Sequence, residues 1–399
     1  MRGSDVSSVQ DWLLRAPHVD DGGVSFMHGL VEQLRGRGLP LWSCNFSLMT
    51  KHPELVWRTV QWTEDGGVKT IERSREGLLR PYFTASPFAR LRQGVPELRV
   101  RLDPGPLPFP ICEDLRARGA TDYFAQALPF CTGEIGHVSW ATRAPDGFSE
   151  EAVSALRDLT AALGQRLELE SAYYATGALL EVYLGRNAGR RVVEGGFRRG
   201  TGELIDAAIW FCDLRGFTML SDERTPEVVV QTLDEYFDHV AGVVMASGGE
   251  VLKFIGDAIL AIFPVVGDAR APCRSALAAA EGALAALRTL NEQRAARGEA
   301  ALGLGIALHL GRVMYGNIGA RNRLDFTVIS SSVNEACRLE ALCKPLGTPL
   351  TLSEAFVNAL EPPGIVDLGH HALKGVRAPI RVFTLASAID PASARGGSG

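Results

Sequence analysis

Nowhere does this chain approach the roughly 18 consecutive apolar residues that a membrane-spanning helix needs, so no transmembrane segment is expected. Its opening residues, Met1-Arg2-Gly3-Ser4-Asp5, lack the apolar core of a secretory signal. The seven cysteines are odd in number and show no paired spacing, which argues for a reducing, cytoplasmic setting rather than a disulfide framework. A net charge of −5 gives no reason to expect nucleic acid, and the basic pairs Arg190-Arg191 and Arg198-Arg199 are short enough to be solvated faces or dimer contacts. His18, His28, His52 and His137 stand singly and read as surface or satisfied histidines rather than metal or haem ligands. No internal repeat is evident. What is present is 399 residues with 46% hydrophobic content, ample for two or three cored domains.

Two carboxylates carry most of the information. Asp213 lies in Ile209-Trp210-Phe211-Cys212-Asp213-Leu214-Arg215-Gly216-Phe217-Thr218, and Asp257 in Lys253-Phe254-Ile255-Gly256-Asp257-Ala258-Ile259. Each ends or interrupts an apolar, β-prone run, which places it at a strand end or tight turn where it can face a ligand. Two such acids brought together repel unless a cation lies between them, and carboxylate and carbonyl oxygens favour Mg²⁺. Read separately, Asp213 is as well explained as a turn cap and Asp257 as half of a Gly-Asp hairpin. A third segment, Asp325-Phe326-Thr327-Val328-Ile329-Ser330-Ser331-Ser332-Val333-Asn334-Glu335-Ala336-Cys337-Arg338, reads as a strand, a serine turn and a helix. Asn334 and Arg338 are four apart and share a helical face, where an amide and a guanidinium can orient a ribose and neutralise a phosphate. Cys212 and Cys337 lie inside these motifs and read as small packing residues.

With these motifs in order, followed by Gly303-Leu304-Gly305-Ile306-Ala307-Leu308-His309, Gly316-Asn317-Ile318-Gly319 and Leu373-Lys374-Gly375-Val376, the stretch from Glu203 to Leu385 resembles the class III nucleotidyl cyclases. The resemblance implies an α+β fold: a ferredoxin-like βαββαβ catalytic domain working as a head-to-tail homodimer. It implies Asp213 and Asp257 as ligands of Mg²⁺ or Mn²⁺, two ions per active site, with the Leu214 carbonyl a further ligand. Lys253 and Thr327 match the purine-reading pair, Asn334 and Arg338 the transition-state pair, and Lys374 a lysine on the terminal phosphates. The metal aspartates would come from one subunit and the other five residues from its partner.

Lysine and threonine complement adenine, which offers an acceptor at N1 and a donor at its 6-amino group; guanine presents the opposite pattern. ATP is therefore the expected substrate and cyclic AMP with pyrophosphate the expected products. A guanylate cyclase, or a catalytically silent nucleotide-binding sensor on the same fold, are the alternatives. Two departures from the family pattern stand out. Ser330-Ser331-Ser332 replaces a turn that usually contains glycine, and serine tolerates positive φ less well. Thr327 replaces the aspartate of many animal enzymes, as in a bacterial subgroup some of whose members respond to bicarbonate.

Residues 1–172 read as a separate regulatory domain. An amphipathic helix containing Val31-Glu32-Gln33-Leu34 should end near Gly38-Leu39-Pro40, followed by strands over 41–50 and 55–63 joined through His52-Pro53, and another over 136–142. Ser149 should cap one long helix whose Val153, Leu156, Leu159, Leu163 and Leu167 share a face, with Glu150 and Glu151 in its first turn. The final strand and the Asp146-Gly147-Phe148-Ser149-Glu150-Glu151 start of that helix resemble a GAF sensor domain, an α/β fold that would receive an unknown small-molecule or protein signal. The Asn-Lys, Phe and Asp-Glu pattern of cyclic-nucleotide-binding members is missing. Trp42, Trp57, Trp62 and Trp140 either line a pocket or pack the sheet. Residues 173–202 read as a helical linker and transducer ending in glycines, 203–386 as the catalytic domain, and 387–399 as a disordered tail.

Overall fold

The computed structural model describes residues 3–49, 55–74, 81–195, 198, 200, 202–372 and 379–389. The expected turn at His52-Pro53 lies outside them, as do Lys374, much of the glycine-rich end of the linker and the tail beyond residue 389. Residues 387–389 belong to a short 3₁₀ turn at Ala386–Ala388 and its cap. The chain divides into two compact units, Met1–Leu179 and Leu180–Gly399.

The first unit opens with α1 (Gly3–Arg15) and α2 (Val24–Arg35), then β1 (Ser43–Met49), β2 (Leu55–Thr63) and β3 (Gly67–Ser74). Short helices α3 (Pro81–Thr84) and α4 (Pro87–Arg92), β4 (Glu97–Arg101), α5 (Pro110–Ala117), β5 (Asp122–Pro129) and β6 (Ile135–Thr142) follow, before α6 (Glu150–Asp158) and α7 (Thr160–Leu184). The strands form an antiparallel sheet in the order β3-β2-β1-β6-β5-β4. Helix α1 was not foreseen, yet its Val6, Val9 and Leu13 enter the same core as Met27, Leu30 and Leu34 of α2. Ser149 caps α6 by accepting from the Ala152 amide, and Val153, Leu156, Leu159, Leu163 and Leu167 are all in that core. The expected single helix is nevertheless two. Gln126 on β5 donates to the Leu156 carbonyl and to Thr160 Oγ1, drawing off an acceptor that the helical ladder would use at the break.

In the second unit, α8 (Arg186–Val193) precedes β7 (Gly202–Arg215), α9 (Phe217–Glu223), α10 (Pro226–Ala246), β8 (Glu250–Ile255), β9 (Ala258–Pro264), α11 (Arg270–Ala296) and β10 (Gly303–Ala320). Then come β11 (Arg323–Ile329), α12 (Ser331–Ala341), β12 (Leu350–Ser353), α13 (Glu354–Leu360), β13 (Ile365–His371) and β14 (Ile380–Leu385). From β7 to β10 the elements run βαββαβ, with α9 and α10 together in the first helical place. The sheet order is β13-β14-β12-β10-β7-β9-β8, and β11 folds back on β10. Within it the four core strands lie fourth, first, third, second.

Period-two alternation along β7 decides what each sheet face buries. Ala208, Trp210 and Cys212 pack with Tyr236, Val240 and Val244 of α10 and the alanine-rich face of α11, while Ala207, Ile209 and Phe211 pack with α12 and α8. Asp213 has the parity of the second set, so it belongs to the α12 side. Cys212 is a buried packing residue whose Sγ lies 3.1 Å from the Tyr236 hydroxyl, and all seven cysteines are free.

On helix α8, Arg190 and Arg191 are both exposed, in keeping with a solvated face, and Arg191 also has fixed partners. Arg191 pairs with Glu203 at 2.6 Å and lies over the Tyr315 ring, 5.0 Å from its centroid. Asn187 donates to Glu250, which also accepts from the Tyr315 hydroxyl at 2.7 Å, and Ala188 is fully buried against the sheet. This helix, inside the segment expected as linker, is thus part of the second unit's packing.

Candidate active site

Asp213 lies two residues before the end of β7, opposite Gly305 of β10 in the antiparallel register. Asp257 occupies the second position of the two-residue turn joining β8 to β9, after Gly256 at φ +64°, the conformation that calls for glycine at the first place of a tight hairpin. The two carboxyls are within hydrogen-bonding reach of each other. Burial, then that contact, then the Asp257 charge push Asp213 up to about 6, with the Leu214 amide pulling the other way. Asp213 Oδ1 is buried without a hydrogen-bond partner among the described residues. An orphaned carboxylate oxygen facing a second carboxylate fits a hard divalent cation. Among the described residues no three His, Cys, Asp or Glu side chains form a complete cage, so the shell would need backbone and ligand oxygens, a composition natural for Mg²⁺.

A third acid is present that the sequence reading did not single out. Glu340, on the inward face of α12, lies against Gly305: a Cβ there would stand 2.1 Å from Glu340 Oε1. The absence of a side chain at 305 therefore lets Glu340 approach Asp213. Burial first, and the Asp213 and Asp257 charges with it, raise Glu340 to about 7 against the opposing pull of Arg215. Both upward shifts mean that the folded chain keeps protons the unfolded chain releases. Metal-free stability should therefore fall as pH rises from the ordinary carboxylate range to about 7, and added Mg²⁺ should restore most at the upper end. Denaturant titrations in EDTA from pH 5 to 8 should show a shallower fall for Asp213→Asn than for the wild type. Equal slopes would mean that Asp213 titrates as an ordinary carboxylate.

Lys253 follows a β-bulge in β8, a device that re-aims a side chain. Its Nζ meets Asp325 Oδ2 at 2.5 Å, and both side chains are nearly half exposed. Thr327 is two residues beyond Asp325 on β11, on the face opposite the buried Phe326 and Val328. The expected purine pair is thereby gathered on one side of β11, with Asp325 as an addition that the i, i+2 spacing could have indicated.

Ser330 adopts φ −172° and caps α12 by accepting from the Val333 amide. The concern about serine at positive φ does not arise, because this turn is extended. Ala336 and Leu339 are buried on the inner face of α12, whereas Asn334 is exposed. Among the described residues, the Asn334 and Arg338 side chains make no hydrogen bond or ion pair. Both side chains are thus uncommitted within the described part of the chain and free to meet a ligand.

Residues 203–387 match the family described as the adenylate and guanylate cyclase catalytic domain. This segment is a class III cyclase catalytic domain. It is 35% identical over 159 residues to an adenylate cyclase of Anabaena cylindrica, a match spanning 39% of this chain and 31% of that protein. It is 37% identical over 151 residues to adenylate cyclase 1 of Rhizobium meliloti, spanning 37% of this chain and 22% of that one. The chain thus aligns with less than a third of either relative. Among solved structures, the adenylyl cyclase CyaB of P. aeruginosa superposes with a TM-score of 0.43 at 26% identity, covering 46% of this chain and 94% of that one. Class III cyclases are generally dependent on divalent metals and bind nucleotides. No helix of the described residues is long and apolar enough to cross a membrane.

Proposed function

We propose that the chain is an adenylate cyclase that forms 3′,5′-cyclic AMP and pyrophosphate from ATP at the interface of a homodimer. The observation that carries this reading is the facing pair Asp213 and Asp257 on the cyclase domain, one oxygen of which has no other partner. These two carboxylates, with the Leu214 carbonyl, would hold Mg²⁺ or Mn²⁺. When bound, the metal supplies Lewis-acid stabilisation of phosphoryl charge and makes the ribose hydroxyl more acidic.

The residues of the chain do the rest. Lys253, anchored by Asp325, donates to adenine N1, and Thr327 accepts from the 6-amino group. Asn334 holds the ribose so that its 3′-oxygen lies in line with the α-phosphorus. A bond forms between these two atoms as the α-phosphorus to bridging-oxygen bond breaks. Pyrophosphate departs with the electron pair, and the hydroxyl proton passes to solvent. Arg338 opposes the charge that builds on the phosphoryl oxygens, and Lys374 would hold the terminal phosphates. Support for a shared site comes from α12, whose Asn334 and Arg338 occupy the face away from the chain's own core. Phe254 and Ile255, each 49% exposed beside the Asp257 turn, offer apolar surface for a second copy.

We assign the first unit as a GAF-like regulatory domain in the cytoplasm; its antiparallel sheet layered with helices supports that assignment. Removing residues 1–172 should change the basal rate, read as cyclic AMP formed per dimer; an unchanged rate would leave this domain without a regulatory role.

A parallel assay of purified protein with ATP and GTP tests the nucleotide assignment, with cyclic AMP expected to dominate. Lys253→Glu with Thr327→Cys should cut ATP use by well over tenfold and improve the relative use of GTP, because a buried polar group facing the wrong edge costs more than one ordinary hydrogen bond of about 1 kcal/mol. An unchanged preference would remove both residues from base reading.

A further inference from the structure

One face of the first unit's sheet packs the larger apolar core, and the other carries a smaller apolar cluster beside a block of polar side chains. Cys44, Phe46, Val60, Trp62, Val138 and Trp140 enter the core shared with α1, α2, α6 and α7. On the opposite face the register sets Gln61, Asn45 and Ser139 side by side across β2, β1 and β6, with Thr59, Ser47 and His137 in the next row. Six polar side chains in a block are an expensive way to fill a buried layer unless something bonds to them. Some partners are internal: Asn45 Nδ2 donates to Ser139 Oγ at 3.2 Å, and Ser47 Oγ lies 2.8 Å from Thr59 Oγ1. Others are missing among the described residues, where Asn45 Oδ1 and both ring nitrogens of His137 are buried without a partner. This corrects the reading of His137 as surface or satisfied. Burial pushes its pKa well below the usual value, with the Arg92 charge adding to the effect. The neutral ring therefore carries one unmet donor and one unmet acceptor.

A cavity of about 300 Å³ lies over this block, within the size range of small-molecule sites. Asn45, Thr59, Gln61 and Ser139 form its polar floor. Trp57, Phe83, Phe88 and Tyr123 supply aromatic walls, and Arg73, Arg118 and Asp114 its charged part, two cations to one anion. Of Trp42, Trp57, Trp62 and Trp140, only Trp57 lines this cavity; Trp62 and Trp140 pack the opposite face, and Trp42 belongs to the apolar cluster beside it. His137 stands directly behind two of the walls, its ring centroid 4.5 Å from Trp57 and 3.8 Å from Phe88.

From this arrangement we infer that the cavity binds a small planar heteroaromatic acid. The flat ring packs on the aromatic walls, its heteroatom edge bonds to Asn45, Gln61 and Ser139, and its carboxylate lies toward Arg73 and Arg118. Aromatic faces accept any planar ring, so the polar row is what selects a heteroatom edge, and the cation excess is what selects an acid.

The test is calorimetric titration of the full chain with indole-3-carboxylate, quinoline-2-carboxylate and nicotinate, each beside its neutral amide. At least one acid should bind with a dissociation constant below about 100 µM, and its amide at least tenfold more weakly. Asn45→Leu and Arg118→Gln should each weaken that acid at least tenfold, with circular dichroism and the thermal midpoint reporting on the fold. Arg118 is exposed at the cavity rim, so its variant keeps the test decisive if Asn45→Leu fails to fold. No binding by any of the three acids, equal binding of acid and amide, or unaltered binding by a folded variant overturns the proposal. Because the readout is binding in the first unit, such a failure leaves the cyclase assignment untouched.

Discussion

Asp213→Ala protein should turn over ATP at less than about one thousandth of the wild-type rate, a loss of about 4 kcal/mol of transition-state stabilisation. Asp257→Ala should match it, since each removes half of the carboxylate pair that would hold the metal. The fold should survive both changes. Each variant removes one of two acids that burden one another, so the metal-free thermal midpoint should hold or rise while the upward shift produced by Mg²⁺ in the wild type disappears. Differential scanning fluorimetry with and without Mg²⁺, run beside a cyclic AMP assay with Mg²⁺ and with Mn²⁺, reads both quantities on one sample. Substantial activity in either folded variant would rule out the metal assignment.

Mixing inactive Asp213→Ala protein with inactive Arg338→Ala protein should recover activity. If Asp213 acts in one subunit's half of a site and Arg338 in the other's, a mixed dimer has one site carrying both defects and one carrying neither. Its ceiling is about half the wild-type rate per heterodimer, and about a quarter in bulk when equal amounts exchange at random. Differently tagged subunits, purified through both tags, allow the rate to be assigned to heterodimers alone. No recovery in such dimers would mean that each chain completes its own site, contrary to the outward placement of Asn334 and Arg338 on α12.

Placements that depend on short-range pattern were readable in the sequence. Asp213 and Asp257 each interrupt a run of alternating or continuous apolar residues, and the Gly256-Asp257 turn is two residues of local chemistry. That Asn334 and Arg338 share one face of a helix needed only helical spacing. Ser149 and its apolar stripe were legible for the same reason.

What escaped depends on register between distant strands. Glu340 approaches Asp213 only because Gly305 is paired with Asp213 across β7 and β10, and nothing near residue 340 announces that. Asp325 meets Lys253 through the bulge in β8, whose position is a property of the strand pair. Gln126 interrupts the α6 to α7 helix from a strand that ends before the helix begins. The polar block on the first sheet was also hidden, because it forms only when β1 and β6 are laid side by side: Asn45 with Ser139, Ser47 with His137. Helix α1 was missed because its buried Val6, Val9 and Leu13 are sparse among polar residues and only their packing against α2 gives them weight.

Helix α8 bears on how this cyclase domain can be moved between proteins. The family match begins at residue 203, downstream of α8, and a gene fusion cut there would look complete by homology. It would remove Ala188 from the sheet, lift Arg191 from the Tyr315 ring and leave buried Glu250 with one partner fewer. A transplantable module should instead start at or before Gly185, which turns the chain at φ +85° into α8. Chimeras joined there carry their own lid for that face of the sheet, whereas those joined at Glu203 inherit an apolar patch that another protein's linker was never selected to cover.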